Sequence, residues 1–307
     1  MSTTPPRGVL PAVITPFRED ESIDYTVWQR HLEFLISSGV HGLFVIGGQG
    51  EFYTLAEEER MVAARFCAQT AARRLPLYVN VGAVTTRETV RLAQRAEQDG
   101  VDYLVVITPY YVRPSADELV EHYSEVAASV RIPVLAYNIP ERTSVELTPD
   151  VLRRVAQAND NFIGLKDSSG RLELIPEWKR AGLHVFIGRD HMILDGLRMG
   201  AIGAVTACAN VTPRAFVDLY NAYQAGNLDE AARLQALVEP LRQAFTLGTF
   251  PGVVKEAMNL AGMNVGKARR PVGPMTEEAR AKLGEVLDKL RQARYLPVAQ
   301  VFVGRGN

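Results

Sequence analysis

Lys166 is the residue of this sequence best placed to do covalent chemistry. It follows the short apolar run 162–165 and precedes the polar residues Asp167 and Ser168. If the run is a strand of a parallel sheet wrapped by helices, its carboxyl end faces the ligand crevice. Burial there lowers an amine's pKa, and an unprotonated amine can attack a carbonyl carbon to form a Schiff base. A lysine that caps a strand or pairs with Asp167 is the commoner case, so the hypothesis depends on the rest of the chain.

Tyrosines at two other predicted strand ends could exchange protons with such an amine. The run 103–107 leads to Tyr110 and Tyr111, and the run 134–137 ends on Tyr137. A tyrosine at a strand end commonly only covers apolar surface with its ring. Imine chemistry, however, needs a group that gives and takes a proton near the amine, and a hydrogen-bonded phenol can do so. We assign that role to Tyr137.

A glycine-rich loop follows the second predicted strand. Residues 47–50 are Gly-Gly-Gln-Gly, with Gly48 and Gln49 at the centre. Backbone N–H groups in such a loop can converge on a small anion such as a carboxylate, although many glycine-rich turns serve only packing. The loop is neither a P-loop nor a dinucleotide fingerprint, because it lacks the Lys-Ser/Thr ending and the G-x-G-x-x-G spacing.

Other catalytic devices find little support in the sequence. The five histidines show no metal-ligand spacing, and no Cys pair or H-E-x-x-H motif is present. Ser168 and Ser169 lack the G-x-S-x-G frame of a nucleophilic serine, and we expect them to bond backbone groups or substrate. The sequence predicts no metal site.

The elements that must position these residues follow from hydrophobic periodicity. Short apolar runs alternate with amphipathic stretches, which is typical of strand and helix units. The predicted strands are 9–14, 42–46, 77–81, 103–107, 134–137, 162–165, 184–187 and 201–205. The predicted helices are 25–38, 56–72, 87–99, 116–130, 149–157, 214–224, 228–245, 253–261 and 277–294. Eight strands favour a (β/α)8 TIM barrel over an open doubly wound sheet, since about 250 residues suit such a barrel. We predict the barrel with the active site over residues 1–225 and a C-terminal helical module over 226–307.

Composition limits the partners and the compartment. The chain has 307 residues, 47% of them hydrophobic, and a formal net charge of −1, so it has no electrostatic bias towards nucleic acid. Two cysteines, Cys67 and Cys208, do not suggest a disulfide framework. No run approaches about 18 apolar residues, and the first seven residues lack the apolar core of a signal peptide. These features predict a cytoplasmic protein with neither nucleic-acid nor membrane partners.

Six motifs, taken together and in order, resemble those of a known family. They are Thr-Pro-Phe at 15–17, the loop 47–51, Thr-Pro-Tyr-Tyr at 108–111, Tyr-Asn-Ile-Pro at 137–140, Gly-Leu-Lys-Asp at 164–167 and the segment 207–211. The chain resembles the dihydrodipicolinate synthase / N-acetylneuraminate lyase family of class I aldolases and lyases. The resemblance implies a (β/α)8 barrel followed by three helices.

The resemblance also implies roles for individual residues. Lys166 forms a Schiff base with a 2-oxo acid, commonly pyruvate, while Tyr137 shuttles protons, and no cofactor is needed. The backbone at Gly48 and Gln49 holds the carboxylate of the oxo acid. Tyr111 matches a tyrosine that crosses a dimer interface into the partner's site, so a homo-oligomer, either a dimer or a tetramer, is expected.

Two further positions, Gly188 and Val205, match places where backbone lines the pocket of the family, although simple barrel packing explains them equally well.

Two departures bear on the substrate. Dihydrodipicolinate synthases have two threonines where this chain has Gly48 and Gln49, so their hydroxyl relay cannot exist in that form. The loop is more similar to that of relatives that cleave 2-keto-3-deoxy sugar acids or 4-hydroxy-2-oxoglutarate. Arg142, in contrast, matches the synthase arginine that binds the carboxylate of the second substrate, and a guanidinium suits that group. Pairing with Glu141 or Glu146 on the surface would explain Arg142 equally well.

The sequence therefore favours a class I aldolase or lyase that makes or breaks a carbon–carbon bond in a 2-keto-3-deoxy sugar acid or a 4-hydroxy-2-oxo acid. The first alternative is 4-hydroxy-tetrahydrodipicolinate synthase, which condenses pyruvate with aspartate semialdehyde. A sugar-acid dehydratase and a non-catalytic oxo-acid sensor are further alternatives. A phosphate-binding barrel isomerase is disfavoured, because residues 205–211 lack the glycines that commonly bind phosphate there.

Overall fold

Eight parallel strands form a closed barrel in the computed structural model, which describes residues 6–296. The strands are β1 (Gly8–Pro11), β2 (Leu43–Val45), β3 (Leu77–Asn80), β4 (Tyr103–Ile107), β5 (Val134–Asn138), β6 (Phe162–Asp167), β7 (His184–Ile187) and β8 (Gly203–Thr206). Hydrogen-bonded neighbours run in order from β2 to β8 and on to β1. A parallel bridge between Ala12 and Phe44 then joins β1 to β2. The predicted TIM barrel is confirmed, and the open sheet is excluded.

Helices alternate with the strands and then continue beyond them. They are α1 (Tyr25–Ser37), α2 (Glu57–Ala71), α3 (Thr86–Gln98), α4 (Ala116–Ala128), α5 (Pro140–Thr143), α6 (Pro149–Ala158), α7 (Ile175–Arg180), α8 (Ile193–Arg198), α9 (Pro213–Gln224), α10 (Leu228–Gln243), α11 (Gly252–Leu260) and α12 (Glu277–Gln292). Local sequence sets several of the starts. For example, Ser115 and Glu118 bond each other's backbone N–H groups at the start of α4.

Several predicted boundaries differ from the structure by one to three residues. The strand predicted over 162–165 continues to Asp167, so Lys166 lies inside β6 and not after it. Its backbone pairs with both β5 and β7, and such pairing does not depend on side-chain polarity. β1 ends at Pro11, three residues before the predicted end.

The C-terminal helices predicted after the last strand are present. Helix α10 packs against α8, α9 and α12, which ties these helices to the barrel. The domain boundary predicted between residues 225 and 226 stays a prediction. The outer ends of the two predicted domains, residues 1–5 and 297–307, lie outside the described residues. No helix among residues 6–296 is long and apolar enough to cross a bilayer.

Candidate active site

The structure places Lys166 beside Tyr137 at the carboxyl ends of neighbouring strands. The two residues are register partners of β6 and β5. The register between these strands shifts by one residue between Val134 and Leu135, which pair with Phe162 and Gly164. Such a bulge changes which side chains share a face, and here it brings the amine and the phenol together on one face. The ammonium nitrogen lies 3.8 Å from the centre of the Tyr137 ring.

Burial lowers the pKa of the Lys166 amine and so favours its uncharged, nucleophilic form. Its side chain is packed against two rings, with Nζ 4.5 Å from the Phe44 ring centre in addition to Tyr137. Removal from water lowers the pKa of Lys166 to about 7, and the nearby charge of Asp190 opposes that shift. A large fraction of the amine is therefore uncharged at neutral pH, as Schiff-base formation requires.

The phenol of Tyr137 is buried and held by a neighbouring hydroxyl. Burial raises the pKa of Tyr137 to about 12, while a hydrogen bond from Ser168 and the positive charge of Arg142 act in the opposite direction. The phenol is therefore protonated at neutral pH and can donate a proton. Gly188 makes room for this arrangement, since a Cβ there would overlap the Ser168 hydroxyl.

The glycine-rich loop offers unused donors next to the phenol. A Cβ built on Gly48 would lie 3.7 Å from the Tyr137 hydroxyl oxygen. Within residues 6–296 the backbone N–H groups of Gly48 and Gln49 donate to no protein acceptor. The Gln49 side chain is buried, and its Oε1 has no hydrogen-bond partner in the same part of the chain. The loop thus presents polar groups that a substrate carboxylate or hydroxyl can satisfy.

Asp190 supplies a buried negative charge at the end of β7. Its carboxylate accepts hydrogen bonds from the Thr206 hydroxyl and, at 2.9 Å, from the backbone N–H of Cys208. These donors fix the carboxylate near Lys166, whose protonated form it favours. A cationic imine on Lys166 would receive the same stabilisation.

Arg142 is not neutralised by the carboxylates near it in sequence. Glu141 pairs with Arg189 at 2.9 Å, and Glu146 pairs with Arg171 at 2.6 Å. The Arg142 guanidinium instead stacks on Phe250, with Cζ 4.4 Å from the ring centre. Its effect on the pKa of Tyr137 shows that its charge reaches the site. Surface pairing with Glu141 or Glu146 therefore does not explain this residue.

Tyr111 lies apart from this site within a single chain. Its side chain is 98% exposed, and its backbone has a φ of 74°. The structure of one chain therefore does not bring Tyr111 together with Lys166.

Comparison with known proteins decides the family. The model of the "Dihydrodipicolinate synthetase family" matches residues 5–290. The 4-hydroxy-tetrahydrodipicolinate synthase of Archaeoglobus fulgidus is 37% identical over 286 residues, which is 92% of this chain and 98% of that protein. The chain belongs to the dihydrodipicolinate synthetase family. The corresponding synthase of Methanothrix thermoacetophila is 38% identical over 288 residues, covering 92% of this chain and 97% of that protein.

Solved structures of the family have the same fold. Dihydrodipicolinate synthase from Aquifex aeolicus superposes with a TM-score of 0.90 at 31% identity, over 94% of this chain and 99% of the other. YagE of Escherichia coli K12, a family member solved with pyruvate, gives a TM-score of 0.89 at 33% identity, over 94% and 99%. Membership makes this chain an enzyme, a carbon–carbon lyase of the class I aldolase type.

In this dihydrodipicolinate synthetase family member, the predicted site residues Gly188 and Val205 also take part in the hydrogen bonding and packing of the barrel. The backbone N–H of Gly188 donates to the Asp167 carbonyl at 2.7 Å. Val205 is a buried residue of β8 and pairs in register with Leu10 of β1. Contact of either residue with substrate stays a prediction. Among residues 6–296, no three His, Cys, Asp or Glu side chains cluster in a way that could hold a metal ion.

Sequence reasoning missed Phe44, Asp190 and Phe250. Phe44 has the pattern of an ordinary strand residue, and Asp190 follows β7 without any motif. Phe250 lies in the C-terminal segment, far from the predicted strand ends, so no local signal could have indicated it.

Proposed function

We propose that Lys166 attacks the carbonyl carbon of a 2-oxo acid, pyruvate in the simplest case, and forms a Schiff base. The buried amine with a pKa of about 7 carries this proposal. Attack gives a carbinolamine, which loses water to leave a protonated imine on Nζ. The imine draws electrons from C3, so that C3 releases a proton and becomes the nucleophilic carbon of an enamine. The enamine then adds to an aldehyde, and hydrolysis of the imine returns the free lysine.

Tyr137 is the group proposed to move protons during these steps. Its protonated phenol lies on the same face as the amine and is bonded by Ser168. It can give a proton to the departing hydroxyl of the carbinolamine and to the alkoxide formed from the aldehyde. We further propose that the N–H groups of Gly48 and Gln49 hold the carboxylate of the oxo acid, with Gly188 and Val205 lining the pocket.

We propose 4-hydroxy-tetrahydrodipicolinate synthase, which joins pyruvate to aspartate semialdehyde, as the reaction that the enzyme performs. The names of the similar proteins from Archaeoglobus fulgidus and Methanothrix thermoacetophila support it over the sugar-acid cleavage that the sequence favoured. Arg142 supports it as well, because a guanidinium with no carboxylate partner in the described chain suits the carboxylate of the second substrate.

Cleavage of a 2-keto-3-deoxy sugar acid is the second candidate. It is supported by Gly48, which lies beside the Tyr137 hydroxyl and has no hydroxyl of its own for a relay. A sugar-acid dehydratase would use the same imine to expel a hydroxyl group, and an oxo-acid sensor would form the imine without turnover.

We also propose that the enzyme works as a homo-oligomer, at least a dimer, in which Tyr111 is covered by a second copy. Almost complete exposure of the Tyr111 side chain leaves ring surface that a second copy would cover. Tyr53 and Val112, each 45% exposed, add to the apolar surface of this region. The cytoplasmic location stays a prediction.

Intact mass after borohydride reduction with pyruvate tests the mechanism. We expect a single adduct on the wild type, none on Lys166→Ala, and an unchanged adduct on Lys282→Ala, which replaces an exposed lysine. Absence of the adduct on folded wild type would overturn the proposal.

Turnover with pyruvate and aspartate semialdehyde is then compared with cleavage of 2-keto-3-deoxy sugar acids. Faster condensation supports the synthase, and cleavage without condensation supports the second candidate. Loss of a hydroxyl from the sugar acid would indicate the dehydratase, and an adduct without any turnover would indicate the sensor.

A further inference from the structure

Phe250 extends from the C-terminal helices to the proposed active site. Its ring atom Cζ would lie 3.3 Å from a Cβ built on Gly48, and the Tyr137 hydroxyl oxygen would lie 3.7 Å from the same point. The ring edge therefore occupies the space beside the loop where another residue at position 48 would place its side chain. A residue of the C-terminal segment thus forms part of the wall next to the catalytic phenol.

The same ring also contacts Arg142. The guanidinium lies over the ring with Cζ 4.4 Å from its centre, and no carboxylate among residues 6–296 pairs with it. Helix α5, which carries Arg142, is held by buried Thr143, whose hydroxyl accepts from Thr108 at 2.9 Å. The guanidinium is therefore positioned before a substrate arrives, which reduces the entropy lost on binding.

A buried ion pair fixes Phe250 relative to the glycine-rich loop. Lys255, the fourth residue of α11, pairs with Glu51 at 2.6 Å, and the two side chains are 1% and 0% exposed. Glu51 follows Gly48 by three residues and also accepts the backbone N–H of Arg269 at 3.0 Å. Because α11 begins two residues after Phe250, the ion pair between Lys255 and Glu51 fixes the position of the ring relative to the loop.

We propose that Phe250 determines acceptor specificity by presenting Arg142 to the carboxylate of a short aldehyde substrate. The inference rests on the proposed Schiff-base function of Lys166. The ring forms one apolar side of the space that an acceptor would occupy between Tyr137 and Arg142. It cannot form hydrogen bonds with the hydroxyl groups of a sugar chain. A short acceptor that ends in a carboxylate reaches the guanidinium, whereas a polyhydroxylated acceptor leaves hydroxyl groups unpaired against the ring.

Two aldehydes of equal chain length test this role. Condensation with pyruvate is measured for succinic semialdehyde, which carries a carboxylate, and for butyraldehyde, which does not. Phe250→Leu keeps an apolar side chain but removes the ring face. We expect it to lower kcat/KM for succinic semialdehyde by about 2- to 30-fold, mainly through KM, as loss of a cation–π contact predicts. For butyraldehyde the change stays within about twofold, and Phe250→Tyr retains the preference because it keeps the ring.

Arg142→Gln completes a double-mutant cycle. If Phe250 acts through Arg142, adding Phe250→Leu to Arg142→Gln causes no further loss with succinic semialdehyde. Equal losses with both aldehydes, or additive losses in the cycle, would overturn the proposal.

Borohydride trapping with pyruvate separates the possible failures. An unchanged adduct on Phe250→Leu shows that the site and fold are intact, so the kinetic result then decides the role of Phe250. No adduct on the wild type would remove the proposed function and this inference with it.

Discussion

Replacing the nucleophilic lysine by an uncharged side chain is expected to stabilise the fold, by an amount that depends on pH. The structure lowers the pKa of Lys166 from 10.5 to about 7 because the amine is buried. The unfolded chain therefore binds more protons than the folded chain between these values, and protonation favours unfolding. The cost to the folded state is fully present below pH 7 and disappears as the pH rises to 10.5.

The two pKa values give the size of the effect. At about 1.36 kcal/mol per pKa unit, the buried amine costs about 4 kcal/mol at pH 7 and about 2 kcal/mol at pH 9. The packing difference between lysine and methionine is the same at both pH values. The stability advantage of Lys166→Met over the wild type should therefore shrink by about 2 kcal/mol between pH 7 and pH 9.

Reversible urea unfolding at fixed protein concentration and without pyruvate measures this difference. Lys282→Met, at an exposed position, should show no such dependence on pH. Lys255→Met gives a contrast, because Lys255 is also buried but paired with Glu51. Its removal leaves the buried Glu51 carboxylate without its cation and should destabilise the fold by about 3 to 5 kcal/mol. An advantage of Lys166→Met that stays constant from pH 7 to 9 would refute the reasoning.

Three further predictions concern catalysis. Tyr137→Phe should form the borohydride adduct more slowly and lower turnover by about 10²- to 10⁴-fold, because the proton carrier is lost. Turnover equal to that of the wild type would remove Tyr137 from this role. The rate of imine trapping should rise with pH as Lys166 loses its proton, and Asp190→Asn should shift this rise to lower pH, since the Asp190 charge raises the pKa of Lys166. A shift to higher pH would contradict this effect of Asp190 on Lys166. Gly188→Ala should lower turnover because its Cβ would overlap the Ser168 hydroxyl that bonds Tyr137. Gly273→Ala, with open space around its Cβ, should not lower turnover. Equal rates for the two variants would contradict the proposed role of Ser168 in holding Tyr137.

The sequence by itself determined the alternation of strands and helices, the count of eight strands and the choice of Lys166 and Tyr137. These features are local: periodicity, chain length and the residue types at strand ends are visible in the printed order. The glycine-rich loop was recognised in the same way. The resemblance to a family added Arg142 and the role of Tyr111 at a dimer interface, which no local pattern would have indicated.

Only the tertiary structure decided how these residues meet. The register shift between β5 and β6 pairs Tyr137 with Lys166, and a shift of this kind depends on the contacts of both strands. The low pKa of Lys166 arises because the folded barrel removes the amine from water, so it has no counterpart in the chain order. Phe250 reaches Gly48 and Arg142 because a buried ion pair fixes α11 against the loop after β2. Sequence patterns describe neighbours along the chain, while this site is made by segments that closure of the barrel and packing of the C-terminal helices bring together.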